Sequence, residues 1–171
     1  MNIPVIKTPR LILRAFTLDD FEAYATMSAD PEFMRYIGDG KPASREDAWR
    51  HIAYILGHWT LLGYGLWALE ERESGAMIGR IGLINPEGWP GLEVGWALAR
   101  SHWGKGYATE GAKAAVDWAF EHLETDELIS LIDPENIKSA RVAERIGETL
   151  KEKIVFRGKP INIYALRRAA V

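Results

Sequence analysis

The residues Trp103-Gly-Lys-Gly-Tyr-Ala-Thr-Glu110 stand between a β-like run that ends at Leu98 and a helical pattern that continues to Leu123. Glycines at 104 and 106 let the backbone turn sharply and approach a ligand closely. The first N–H groups of the following helix have no partner within it and point outward along a dipole that favours negative charge. A phosphate or pyrophosphate suits that arrangement, with Lys105 adding a positive charge. The plainer reading, a strand-to-helix turn and nothing more, uses the same glycines. Other phosphate motifs fit less well. A Walker loop needs Gly-Lys-Ser/Thr, whereas Gly104-Lys105 is followed by Gly106. A dinucleotide fingerprint needs Gly or Ala where Thr109 stands, and glycines directly after the strand, although Asp126 lies near the place of its ribose-binding acid.

Glu93 is the acid in an otherwise apolar run from Leu92 to Leu98. Strand alternation puts it on one face with Gly95 and Ala97, while Leu92, Val94, Trp96 and Leu98 face the other way. Two small neighbours leave room beside the carboxylate. Partial desolvation raises its pKa, which suits removal of a proton from an ammonium. A structural ion pair with Arg80 on the neighbouring strand is the alternative. Asn136 precedes the apolar pattern that opens at Ile137, so it reads as a helix N-cap whose side-chain amide still has donors to offer. Ser139, one turn later, is a hydroxyl donor or a capping partner. The histidines at 51, 58, 102 and 122 lack metal-ligand spacing, so no metal is expected. Trp89, among glycines and prolines, is expected to be the exposed tryptophan and to rim a site.

The elements that position these residues follow from periodicity. Leu11 to Arg14 predicts a short strand. Thr17 with Asp20 is a capping-box pair, and Phe21, Tyr24 and Ala25 follow at helical spacing until Asp30-Pro31 interrupts. Ser44 with Asp47 makes a second helix start, after which Ala48, Trp49, Ile52, Ile55, Leu56 and Trp59 fall on one face. Tyr64 to Glu70, Met77 to Ile84 and Leu92 to Leu98 predict three strands of an antiparallel meander, separated by Ser74-Gly75 and by the turn-rich stretch from Asn85 to Gly91. Beyond the glycine loop, Ala108, Ala112, Ala115, Val116, Ala119, Phe120 and Leu123 share a helix face. Leu128 to Ile132 reads as a buried strand, Ile137 to Ile146 as a helix that Gly147 ends, and Ile154 to Arg167 as a last strand or hairpin. The class is α+β with a mixed sheet. Its strands at Leu98 and Leu128 run parallel, because a helix crosses over between them.

A chain of 171 residues has the length of one domain, so residues 1–171 are taken as a single unit. Hydrophobic residues make up 47%, enough for a core without staples. With 21 Lys and Arg against 24 Asp and Glu, the net charge of −3 argues against a nucleic-acid binder. The absence of cysteine excludes a disulfide framework, a thiolate metal site and a cysteine nucleophile. Nowhere do about 18 apolar residues run together, and Met1 to Arg14 carries no readable secretory signal. A soluble, cytoplasmic protein without membrane attachment is the expectation.

Four blocks together resemble the GNAT N-acetyltransferase superfamily, in the branch of the ribosomal-protein N-terminal (alanine/serine) acetyltransferases. They are Thr8-Pro-Arg-Leu-Ile-Leu-Arg14 with Asp19-Asp20, Glu93-Val-Gly-Trp96, Trp103 to Glu110, and Asn136-Ile-Lys-Ser139 with Ala143-Glu-Arg-Ile-Gly147. The likeness runs from about Thr8 to Leu166 in the family's order. It implies a mixed, twisted, mostly antiparallel sheet with helices on both faces, and acetyl-CoA as cosubstrate. The implied reaction is direct attack by a primary amine, a protein N-terminus or a small amine, in a ternary complex.

By the same resemblance, backbone from Trp103 through Gly104, Lys105, Gly106, Tyr107 and Ala108 to Thr109 would wrap the pyrophosphate. Trp96, Ala97 and Leu98 would pair with the pantetheine arm as an added strand, and Asn136 would hold that arm. Glu93 would be the base, and a backbone N–H near Leu98 would polarise the thioester. Many members carry Tyr as the acid where Ala143 stands, which leaves Ser139, or more remotely Tyr164, for that part. A non-catalytic acyl-CoA-binding module is the second reading, favoured by Ala143, and a dinucleotide-dependent oxidoreductase the third. Monomer and homodimer both stay open. The acceptor would meet the stretches Asp30 to Ser44 and Asn85 to Gly91, which carry charges of both signs.

Overall fold

The computed structural model describes residues 3–168. Its strands in chain order are β1 (Ile6–Lys7), β2 (Leu11–Arg14), β3 (Leu66–Glu71), β4 (Met77–Ile84), β5 (Glu93–Leu98), β6 (Glu127–Ile132), β7 (Thr149–Phe156) and β8 (Lys159–Arg167). The helices are α1 (Phe21–Ser28), α2 (Pro31–Met34), α3 (Arg45–Leu62), α4 (Tyr107–His122) and α5 (Ile137–Arg145). One sheet takes all the strands in the order β1-β2-β3-β4-β5-β6-β8-β7. Every neighbouring pair is antiparallel except β5 and β6, which the α4 crossover makes parallel. The expected α+β, mostly antiparallel architecture is the one found.

Small residues draw α4 against the sheet. Gly111, Ala112, Ala115 and Ala119 are buried along it, and a Cβ placed on Gly111 would come within 2.6 Å of Ile81 Cδ1 and 3.4 Å of Leu69 Cδ1. This close approach seats the first turns of α4 on β3 and β4. A second tie holds that start in place. Glu110 accepts from the Thr8 hydroxyl at 2.6 Å, the Arg10 backbone N–H at 2.8 Å and Arg10 Nε at 2.6 Å. Arg10 also donates to the Lys105 carbonyl at 2.8 Å. The conspicuous Glu at the end of the glycine motif therefore anchors the loop to the turn between β1 and β2.

The opposite face carries Arg80 and Glu93; α1 packs against β4 and α3 packs on α1, with His51 and Tyr54 within electrostatic reach of Arg80. Ser44 caps α3 by accepting from the Asp47 N–H, and Gly63 ends it at φ +76. Ala48, Ile52, Ile55 and Trp59 are buried as the periodicity predicts, but Trp49 is 54% exposed, so the apolar stripe is narrower than the sequence pattern.

Two elements were not foreseen, and a third starts earlier than expected. β1 is only two residues long. Asp30-Pro31 does more than break a helix, because Asp30 caps α2 by accepting from Glu32 N–H at 2.9 Å, with Pro31 in the first turn. β7 begins at Thr149, five positions before the expected Ile154. It is an edge strand whose first half, with Lys151, Glu152 and Lys153, is exposed; charge of this kind guards an edge and hides the strand's alternation.

Between β4 and β5 the backbones lie so close at Gly79 that a Cβ there would sit 2.3 Å from the Ala97 carbonyl oxygen and 2.8 Å from Leu98 Cα. Gly79→Ala is therefore expected to destabilise the fold by about 3 kcal/mol, the upper range for overpacking a rigid site. A lowered denaturant midpoint checks this, and an unchanged one would show that the strand pair yields at no cost.

Candidate active site

The loop meets the requirements for an anion cradle. Gly104 and Gly106 adopt φ +76 and +81, conformations that L-residues rarely enter. The first helical bond of α4 runs from Glu110 N–H to the Gly106 carbonyl, so the N–H groups of Tyr107, Ala108 and Thr109 have no helical acceptor. Side chains cap α2, α3 and α5, but at the head of α4 the capping position is Gly106 and offers none. A Cβ on Gly104 would meet nothing within 4 Å, which leaves the loop open on its outer side. Trp103 braces it by donating its indole N–H to the Leu98 carbonyl at 2.7 Å, and Lys138 of α5 lies 4.4 Å over the same ring.

From this loop back to Glu93, β5 and β6 part. They share one pair, Glu93 with Ile129, where Ile129 N–H donates to the Leu92 carbonyl at 2.9 Å. Ser130 then donates its hydroxyl to the Val94 carbonyl at 2.8 Å, so a side chain replaces the next backbone bond. Register with β4 turns the N–H and C=O of Val94, Trp96 and Leu98 toward β6. Past Val94 no strand among the described residues pairs with that edge. The Trp96 N–H and C=O and the Leu98 N–H consequently face the gap, ready for an extended chain.

Glu93 stands at the apex of this fork. Only 8% of it is exposed, and burial pushes its carboxyl up to about 7, opposed by the Trp89 indole N–H at 2.6 Å, the Leu131 N–H and the more distant charge of Arg80. No ion pair joins it to Arg80, which removes the structural alternative. The floor beside it is bare, since a Cβ on Gly95 would meet only Glu93 Oε1, at 3.7 Å. Trp89 is half-buried through its bond to Glu93, and the exposed tryptophan is Trp49.

On the other face Trp96 donates its indole N–H to Ser139 Oγ at 3.3 Å, and Asn136 Oδ1 caps α5 by accepting from the Ser139 N–H at 3.2 Å. The Ser139 oxygen thus accepts from the indole and keeps its own proton free to donate. Asn136 likewise keeps its amide NH₂. Ala143 is wholly buried with Ile132 and Tyr164 around it, so a phenol has no room at that position. Tyr164 itself is 8% exposed and packs in this small cluster.

The sequence reading missed Glu148. Gly147 ends α5 at φ +98 in a Schellman arrangement, with Gly147 N–H to the Glu144 carbonyl and Glu148 N–H to the Ala143 carbonyl. That motif usually folds the residue after the glycine inward, which was the available signal. Glu148 is 2% exposed, its Oε1 lies 3.0 Å from Ser130 Oγ, and its Oε2 has no partner. Ser130 has one proton, and the Val94 carbonyl can only accept. The contact with Glu148 is therefore satisfied when the carboxyl is protonated and donates. Burial pushes Glu148 up to about 8, and the Glu93 charge pushes the same way.

Comparison with known proteins agrees with this geometry. A family model described as an acetyltransferase (GNAT) domain matches residues 10–149. The uncharacterized protein YkkB of Bacillus subtilis (strain 168) is 32% identical over 160 residues, 92% of each chain. The uncharacterized N-acetyltransferase YnaD of the same organism is 30% identical over 83% of this chain and 81% of its own. The crystal structure of an acetyltransferase from Agrobacterium tumefaciens str. C58 superposes with a TM-score of 0.86 at 37% identity, covering 98% of this chain and 96% of that one.

A carboxyl whose folded pKa exceeds its ordinary value stabilises the fold fully below the ordinary value and loses that contribution as pH rises through the folded one. For Glu148 the window runs from 4.5 to about 8. Glu148→Gln keeps a neutral donor for Ser130, so the variant should gain on the wild type steadily across that window. Denaturant midpoints at either end of it provide the check, and a difference that is the same at both ends would show that Glu148 does not titrate there.

Proposed function

Because this chain belongs to the GNAT acetyltransferase family and is an N-acetyltransferase, we propose that it moves the acetyl group of acetyl-CoA directly to a primary amine held over Gly95, with Glu93 as the base. The observation that carries this reading is the buried acid at the apex of a parted strand pair, with an uncapped helix start at the mouth. When bound, acetyl-CoA supplies an activated thioester. The residues present suit it, since the N–H groups of Tyr107, Ala108 and Thr109 with Lys105 match a pyrophosphate, and the edge from Trp96 to Leu98 matches an amide-bearing arm.

In this reading the N–H of Leu98 polarises the thioester carbonyl, because the Leu98 carbonyl is already occupied by Trp103. Asn136 holds the arm through its free NH₂. Glu93, held near neutrality, takes a proton from the incoming ammonium, directly or through water. Ser139 donates a hydrogen bond toward the departing sulfur; a thiol of pKa about 8.5 leaves readily as thiolate, so this help is modest. Holding both substrates on one sheet supplies much of the acceleration. Protein N-termini and small amines both fit the general scheme.

Glu93→Gln keeps the shape and both donors around the site, so kcat should fall by about 10²-fold while acetyl-CoA affinity by calorimetry stays the same. The wild-type rate should rise with pH through about 7, and the variant should lose that rise. Normal turnover and an unchanged pH profile in the variant would remove Glu93 from the chemistry. Gly106→Val, forced into φ +81, should abolish acetyl-CoA binding while the circular dichroism of the fold persists. Unchanged affinity there would take the loop out of the site.

A further inference from the structure

Arg80 points to what kind of amine is taken. It lies in mid-β4 on the face of Glu93 and is only partly exposed. No hydrogen bond or ion pair among the described residues engages its guanidinium, and its Nε is sealed from solvent without a partner. A partly buried guanidinium with one nitrogen sealed and no protein partner keeps its remaining donors for whatever enters the site. Its charge nevertheless reaches the site. It helps burial to hold His51 down at about 3, and it is felt by Tyr54 and Glu93.

The spacing is informative. Arg80 is opposite Ala97 and Ile84 is opposite Glu93, so the two charged residues are offset by four positions, about 13 Å at about 3.3 Å per residue. Between them the face carries only Gly82 opposite Gly95. The charge of Arg80 is felt by Glu93 across this bare floor, yet the two form no ion pair within 4 Å. A second cation stands at the rim. Arg157, in the β7–β8 turn, lies 4.8 Å over the ring of Trp89, the residue whose N–H holds Glu93. With Glu148 held neutral by burial, two arginines around Glu93 repel polycationic acceptors and attract an anion.

Resting on the transferase reading above, we propose that the acceptor is a zwitterionic primary amine, its ammonium delivered to Glu93 and its carboxylate to Arg80. The carboxylate forms charge-assisted, bidentate hydrogen bonds with a guanidinium that otherwise has no partner. That bond then aligns the amine over Gly95. A free amino acid and a peptide whose first residue has an acidic side chain present the same chemistry.

The test is a comparison of kcat/KM within matched pairs, reading thiol release from acetyl-CoA. L-phenylalanine is set against phenethylamine, L-tyrosine against tyramine and L-histidine against histamine. Amidated dipeptides beginning with Asp or Asn test the peptide source. In at least one pair the carboxylate-bearing member should be preferred by about tenfold or more, as a charge-assisted bond predicts. Arg80→Gln should abolish the preference and Arg80→Lys should retain part of it. Partial misfolding lowers both members of a pair together and leaves the ratio untouched. Equal rates within every pair, a preference that survives in Arg80→Gln, or no turnover of any member overturns the proposal. Acetyl-CoA binding, measured alongside by calorimetry, separates that outcome from failure of the transferase reading, which predicts binding in every case.

Discussion

A single backbone pairing between β5 and β6, at Glu93 and Ile129, organises the rest of the molecule. Had the two strands stayed paired to their ends, Trp96 and Leu98 would have spent their N–H groups on β6 and no edge would remain for a ligand. The fork is kept open by side chains that substitute for backbone partners. Ser130 takes the Val94 carbonyl, Trp103 takes the Leu98 carbonyl, and Trp96 leans away to Ser139. Each satisfies a polar group that burial would otherwise penalise, and none closes the middle of the gap.

Two acids share this apex and are tuned differently. Glu93 has two N–H donors and the distant charge of Arg80 to support its ionised form, whereas Glu148 has one hydroxyl whose proton is committed elsewhere. Burial raises both, but the donor count keeps Glu93 the more acidic, at about 7 against about 8. Divergent environments for neighbouring carboxyls are how one site keeps a base and a neutral donor at the same pH. Glu148 in its neutral form serves the strand junction, so its proton is part of the architecture.

Much of this was legible in the chain because the signals are local. Glycines at 104 and 106, the alternation that isolates Glu93, and the capping residues Ser44 and Asn136 announce themselves within a few positions, and the element order followed from them. What was not legible depends on partners far along the chain. The early part of β7 is an edge, so its exposed Lys and Glu conceal the strand. Trp49 fits an apolar stripe by spacing, but the surface under α3 is too narrow to cover it. Glu148 looks like any surface acid until Ser130 and the β5–β6 junction close over it. Arg80 enters the sequence reading only as an alternative ion-pair partner for Glu93; that it pairs with nothing among the described residues can be seen only when its neighbours are in place.

The strand order also says something about how such a molecule is made. Apart from the last two strands it follows the chain, so each new strand can dock on the edge left by the one before. The cleft lies where this accretion changes character, between five strands that pair with their sequence neighbours and three that are reached through α4. Few backbone bonds cross that line, and α4 packs mainly on β2, β4 and β5, meeting the far side chiefly through α5. The Arg10–Glu110 clasp, spanning 100 positions, can close only after both ends of that stretch exist. The ligand cradle is thus among the last features of the N-terminal part to become ordered during synthesis, and a chain interrupted before α4 holds a nearly complete half-sheet with an unprotected, sticky edge.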